Sequence, residues 1–175
     1  MSTSLVSELE RLADALVPDG AGAVEGSLPA VAEKIARELR VNADEVAILA
    51  VSHRWRHLHF LVPHVLKNVG FIPLTSNSAL AARTARDSRP EINNNFSAVR
   101  HAAVFEGVKT ATGESIQKII SAPILFEEKV VGVMQISRKG ASLVSAGPDF
   151  TPEELRRVLA ISKPLGKLVS LMAGE

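Results

Sequence analysis

Ser121-Ala-Pro-Ile-Leu-Phe-Glu-Glu-Lys-Val-Val-Gly-Val-Met-Gln-Ile-Ser-Arg138 decides the fold. It is two apolar runs of strand length joined by a charged pair, Glu127-Glu128. With the chain turning at that pair, Ile120, Ala122, Ile124, Val131, Val133, Gln135 and Ser137 share one face. Ile119, Ser121, Pro123, Leu125, Val130, Gly132, Met134 and Ile136 share the other. Glu-Glu suits a primed two-residue turn poorly, because both central positions need positive φ. A bulge or a longer turn would exchange these faces. Pro123 implies a bulge or a missing ladder bond, and Gly132 a close backbone approach.

Just beyond the hairpin, Thr151-Pro-Glu-Glu154 is a capping box with proline at the first helical position. Leu155, Val158, Leu159, Leu165, Leu168, Val169 and Met172 give this helix its apolar stripe, and Pro164 predicts a kink. Upstream, Val46-Ala-Ile-Leu-Ala-Val51 is apolar on both faces, as in a covered central strand. Residues 55–62 alternate: Leu58, Phe60 and Val62 on one side, Trp55, His57, His59 and Leu61 on the other. Thr75-Ser-Asn-Ser78 offers caps for an Ala-rich helix that stops before Pro90. Glu91-Ile92 reads as a short strand and Asn93-Asn-Asn95 as a local turn. Residues 97–105 read as a short helix, and 107–113 as a mobile loop.

At the start, Leu5, Leu9, Leu12 and Leu16 mark an amphipathic helix. A Gly- and Ala-rich connection over 18–26 reads as flexible. Ser27 then caps a second helix with Pro29 in its first turn and Val31, Ile35 and Leu39 on its buried stripe. The division is thus 1–26, helix and linker, and 27–175, one domain.

At 175 residues and 46% hydrophobic composition, one sizeable core is expected. Twenty basic against nineteen acidic residues imply no strongly charged partner; nucleic-acid binding is not expected. The chain has no cysteine, which removes disulfides, thiolate metal sites and Cys nucleophiles together. No secretory leader and no run of the ~20 apolar residues a membrane span needs is read. The expectation is a cytoplasmic protein without membrane partners.

The order helix, two strands, helix, broken strand, helix, hairpin, terminal helix resembles a GAF domain over about Leu28 to Met172. Ser121-Ala-Pro-Ile124, Lys129-Val-Val-Gly-Val133 and Phe150-Thr-Pro-Glu-Glu-Leu155 carry the resemblance. It implies an α+β fold: an antiparallel sheet of about six strands flanked by helices on both faces, with a small-molecule pocket between the sheet and the helices before the hairpin. Without cysteine, neither covalent bilin attachment nor the methionine sulfoxide reductase chemistry of some such domains is implied. The cyclic-nucleotide signature does not thread onto the chain, apart from a fragment at Asn95-Phe96.

The resemblance places Asn93, Asn94, Asn95, Phe96, Arg100 and His101 on one wall of the pocket. Gln135 and Ser137, polar on an apolar strand, could reach it from the sheet; the alternative is that the Asn run only makes a loop and Gln135 satisfies a neighbouring backbone group. Arg83, Arg86 and Arg89 with Arg100 and His101 are candidates for an anion, since the guanidinium fork matches carboxylate and phosphate. Against them stands their drift around a helix, usual for solvated surface. His57 and His59, at i and i+2, share a strand face, but no Asp or Glu lies between Glu45 and Asp87, so no metal is expected. No nucleophile motif or phosphate loop is present.

The expectation is a non-catalytic sensory or regulatory domain for an unspecified small molecule, an anion among the candidates, paired as a homodimer through its terminal helices. Alternatives are a structural protein-interaction module with a filled pocket, and a small enzyme using His57, His59 or His101.

Overall fold

The computed structural model describes residues 4–66, 70–96 and 115–172. Helices are α1 (Leu5–Leu16), α2 (Ala21–Leu39), α3 (Leu80–Asp87) and α4 (Pro152–Ser170). Strands are β1 (Val46–Ser52), β2 (His57–Val62), β3 (Phe71–Pro73), β4 (Glu91–Asn93), β5 (Ser115–Phe126) and β6 (Lys129–Gly140). They form one six-stranded sheet in the order β3-β2-β1-β6-β5-β4, every pair antiparallel.

The sheet is covered on both faces, as its apolar strands require. Val46, Ile48 and Ala50 of β1 face α1, α2 and α4, together with Ile120, Ala122, Ile124, Met134 and Ile136. Ala47, Leu49 and Val51 face α3, with Leu58, Phe60, Phe96, Ile119 and Val133. No helix among the described residues is long and apolar enough to cross a membrane.

The hairpin corrects two expectations. Glu127 and Glu128 do form a two-residue turn, with Phe126 paired to Lys129 and φ of 51° and 67°. Each non-glycine residue there carries about 1–2 kcal/mol of left-handed backbone cost, offset by two twelve-residue strands. Val131 is an extra residue: Leu125 pairs with Val130, but Ile124 pairs with Gly132. Past this bulge the faces exchange, so Gln135 opposes Ser121 and Ser137 opposes Ile119, on the α3 side. β4 pairs with β5 only as far as Ser121, so Pro123 borders an open edge. Gly132 is the close approach anticipated, since a Cβ there would meet the Leu49 carbonyl oxygen at 2.4 Å and Val169 Cγ1 at 2.8 Å.

A second bulge, at Leu61, divides β2: Ile48 pairs with Val62 but Leu49 with Phe60. Leu61 and Val62 therefore both join the α2 face, while Leu58 and Phe60 face α3. The expected side-sharing of Leu58, Phe60 and Val62 is corrected accordingly, and Trp55 lies in the turn before the strand.

The N-terminal part departs further. Residues expected to be a flexible connection are a single 3-10 turn, Val17–Asp19, and the first two turns of α2. Ser27 lies inside α2, its hydroxyl donating to the Val24 carbonyl at 2.7 Å, and Pro29 is interior. Helix α1 folds back on its own chain: Leu9 and Ala13 are buried in the core, and Asp14 pairs with Lys167 of α4 at 3.4 Å. Burying a leucine is worth ~2 kcal/mol, enough to hold a helix too short to persist alone.

Candidate functional site

Helix α3 ends where Ser88 takes a left-handed conformation, φ 51°, and the chain returns as β4. Leu80, Arg83, Thr84 and Asp87 fall at i, i+3, i+4 and i+7, so they share one face of α3. Arg89, Pro90 and Glu91 cross in front of that face. Between them lies a cavity of about 410 Å³. Arg83 Nη2 contacts Glu91 Oε2 at 2.7 Å, with both side chains 43% exposed. A pair so solvated is worth at most ~1 kcal/mol, so a competing anion opens it at little cost.

The base of the cavity is a hydroxyl. Thr84 is buried and donates to the Leu80 carbonyl at 2.9 Å. Its oxygen also lies 2.7 Å from Ser121 Oγ on β5, which accepts from Gln135 Nε2 on β6 at 3.2 Å. Since the Thr84 proton is committed to Leu80, Ser121 must donate to Thr84. The result is a directed row, Gln135 to Ser121 to Thr84 to Leu80, running from the middle of the sheet to the cavity. Each bond in such a row polarises the next.

Among the described residues, this cavity is lined by none of those expected on the pocket wall, and Gln135 connects to it only through two hydroxyls. Ser137 is buried and donates to the Glu45 carbonyl at 3.4 Å. Asn94 clamps Phe150: its Oδ1 accepts from the Phe150 N–H at 2.8 Å and its Nδ2 donates to the Phe150 carbonyl at 3.1 Å. Asn93 Oδ1 accepts from the Asn95 N–H at 2.8 Å, the local turn expected of this run, and Asn95 is exposed. Phe96 is buried in the α3-side core. Arg100 and His101, like the helix and loop read over 97–113, lie outside the described residues.

Of the three arginines expected on this helix, Arg83 on α3 and Arg89 just past its end meet at the cavity and Arg86 does not. Arg86 Nη1 donates to the carbonyls of Leu74 and Ser76, tying down the segment before α3. Thr84 and Ser121 escaped the sequence reading. The i, i+3, i+4, i+7 pattern could have found Thr84, whereas Ser121 was hidden by the uncounted residue at Val131.

The histidines lie elsewhere. His57 stacks on Phe71, ring centroids 4.1 Å apart, and meets His59 edge-on at 6.2 Å. Burial, then the nearby His57, lowers the pKa of His59 from its ordinary value. Burial and Lys129 lower that of His53, against a hydrogen bond to the Val130 backbone that raises it. Among the described residues, no three His, Cys, Asp or Glu side chains gather as metal ligands would.

No protein-family profile matches the sequence, and no curated protein does. Solved structures match over almost the whole chain. The GAF domain of an Acinetobacter phosphoenolpyruvate-protein phosphotransferase superposes with a TM-score of 0.66 at 13% identity, covering 97% of this chain and 95% of that one. A segment of a methyl-accepting chemotaxis protein also gives 0.66 at 13%, covering 97% and 98%. A type II free methionine-R-sulfoxide reductase from Thermoplasma acidophilum gives 0.62 at 14%, covering 88% and 97%. The GAF-B domain of DevS from Mycobacterium smegmatis matches too, with a TM-score of 0.51 at 17% identity over 82% and 93%. An antiparallel six-stranded sheet with this strand order, helices on both faces and such neighbours establishes that this chain has the GAF-domain fold.

Proposed function

We propose that the chain is a non-catalytic, cytoplasmic sensory or regulatory domain that takes a small anionic molecule in the α3–β4 cavity. One observation carries this reading. Two arginines, one held only by a solvated ion pair, stand over a buried hydroxyl that heads a polar row into the sheet. A carboxylate or phosphate seated there meets Arg83 and Arg89 as bidentate donors. If it also draws the Thr84 proton away from Leu80, every bond of the row keeps its direction and is polarised more strongly, as far as Gln135. Such a ligand has a physical route from the helix to the centre of the sheet. The reductase among the structural neighbours does not extend its chemistry to this chain, which has no cysteine to supply a thiol.

A thermal-shift screen of small carboxylates and phosphates tests the site. A ligand present at about a hundred times its Kd adds ~2.7 kcal/mol, raising Tm by roughly 5–10 °C for a domain of this size. Arg89→Ala should remove the shift while leaving the unliganded Tm within ~1–2 °C. A shift that survives both Arg83→Ala and Arg89→Ala refutes the assignment.

The proposal includes a homodimer through the terminal helices. With α1 seated on its own chain, the seam is the outer surface of α1 and α4, where Leu5, Leu12, Leu16, Leu155 and Leu159 are only partly buried. Light scattering at tens of micromolar decides it: a monomer there overturns the dimer.

A further inference from the structure

On the sheet face opposite α3, at the β3 edge, the helices stop short. β2 and β3 project His57, His59 and Phe71 beyond the cover of α2 and α4, and Trp55 stands in the turn before β2. Trp55 is 67% exposed and Phe71 64%. Both line an open, largely apolar cavity of about 640 Å³, with Met172 of the C-terminal segment closing one side. Large aromatic side chains are this exposed at a folded surface mainly where something covers them.

The surface is stiff as well as apolar. Phe71 is stacked on His57 at an interplanar angle of 16°, and the Arg54 guanidinium lies 5.1 Å from the centre of the Trp55 ring. Rings held this way lose little conformational freedom when a partner settles on them. Tryptophan and arginine are also the side chains most enriched among residues that dominate interface energies.

Charge selects the partner. From Val46 to Arg86 the sequence contains no Asp or Glu, while the Arg54 guanidinium lies over the Trp55 ring and Arg56 follows Trp55 in the same turn. A second copy presenting this same face would bring like charges together, so self-association here is disfavoured. Nucleic acid is disfavoured too: two cations neutralise about two phosphates, and affinity for a strand grows with that number. A protein segment with acidic residues around one or two apolar side chains answers both features at once.

We propose that the face formed by Trp55, His57 and Phe71 docks an acidic, apolar-tipped segment of a partner protein. The apolar side chain enters between Trp55 and Phe71, and the flanking carboxylates meet Arg54 and Arg56. This surface lies across the sheet from the α3–β4 cavity, so either can fail without the other.

Trp55 makes the test direct, because it is the only tryptophan and the chain has no tyrosine. The protein is titrated with an eight-residue peptide alternating glutamate with leucine, with its lysine–leucine counterpart, and with a ten-nucleotide oligothymidine. The expected result is a blue shift and saturation with the acidic peptide, at least tenfold tighter than with the basic one. Phe71→Ala and Arg54→Glu should each weaken it about tenfold without moving the melting temperature. Equal affinity for the two peptides, no change with either, or tighter binding of the oligonucleotide overturns the proposal.

Discussion

Replacing Asn94 by aspartate separates a clamp from a ligand wall. The Asn94 amide both accepts from and donates to the backbone of Phe150, at 2.8 and 3.1 Å. Phe150 is itself buried, its ring 4.2 Å beneath the Arg138 guanidinium. Asn94→Asp keeps the acceptor and loses the donor. Losing the donor to this half-buried carbonyl costs ~1 kcal/mol, and a carboxylate set against that oxygen adds repulsion. The expected loss at pH 7.5 is therefore about 2 kcal/mol, or roughly 4–8 °C in Tm. Protonation restores the donor, so the folded state raises the pKa of the new carboxyl above its unfolded value of about 3.9. The sign follows: the stability is present below that value and is lost as pH rises through the folded pKa. Melting followed by circular dichroism, variant against parent at pH 4 and pH 7.5, should show most of the deficit only at the higher pH. A deficit under 1 kcal/mol, or one independent of pH, refutes the clamp.

Two further outcomes rest on backbone and burial. Changing Glu127→Asn and Glu128→Gly together should stabilise the protein by about 1 kcal/mol in urea unfolding, because these residues adopt positive φ readily; destabilisation would mean that the glutamates make contacts worth more than the strain. Because the pKa of His59 is lowered in the folded state, chiefly by burial, its contribution to stability is present above about 6.5 and is lost as pH falls. His59→Gln should accordingly flatten the stability profile between pH 7 and 5, and an unchanged slope refutes that account.

The parts of the fold most legible in the sequence are those with a strong local signal. The Thr151 capping box appears as read, with Thr151 Oγ1 accepting from the Glu154 N–H and Glu154 Oε1 accepting from the Thr151 N–H. The doubly apolar β1 is covered on both faces, and Asn93 closes its own turn. What stayed hidden depends on tertiary context. Gly20, Gly22 and Gly26 read as a linker, yet α2 runs through the last two because Val24 and Leu28 bury completely against the core. At the candidate site, Arg83 and Arg89 were visible as cations, but their separation from Arg86 required knowing which side of α3 faces β4. Asn94 looked like a pocket residue because an amide bound to backbone and one awaiting a ligand have the same composition. Thr84 could be placed by its spacing on α3, but Ser121 carried no signal of its own until the hairpin strands were set in register.

Val131 has a consequence for how this chain can change over time. Deleting that one codon would leave both strands of the hairpin intact as strands, with the same composition and turn. It would also leave Gln135 and Ser137 on the α3 side and Met134 and Ile136 beneath α4, because Gly132 would follow Val130 in an unbroken ladder and keep Ile124 as its partner. The bulge absorbs such a deletion as a loop does, whereas loss of one paired residue of β6 would shift every residue downstream to the other face. Single deletions in this hairpin should therefore survive alone at Val131 and only in compensating pairs elsewhere. An alignment that slides a gap across it will match residues from opposite sides of the sheet, however similar the letters look.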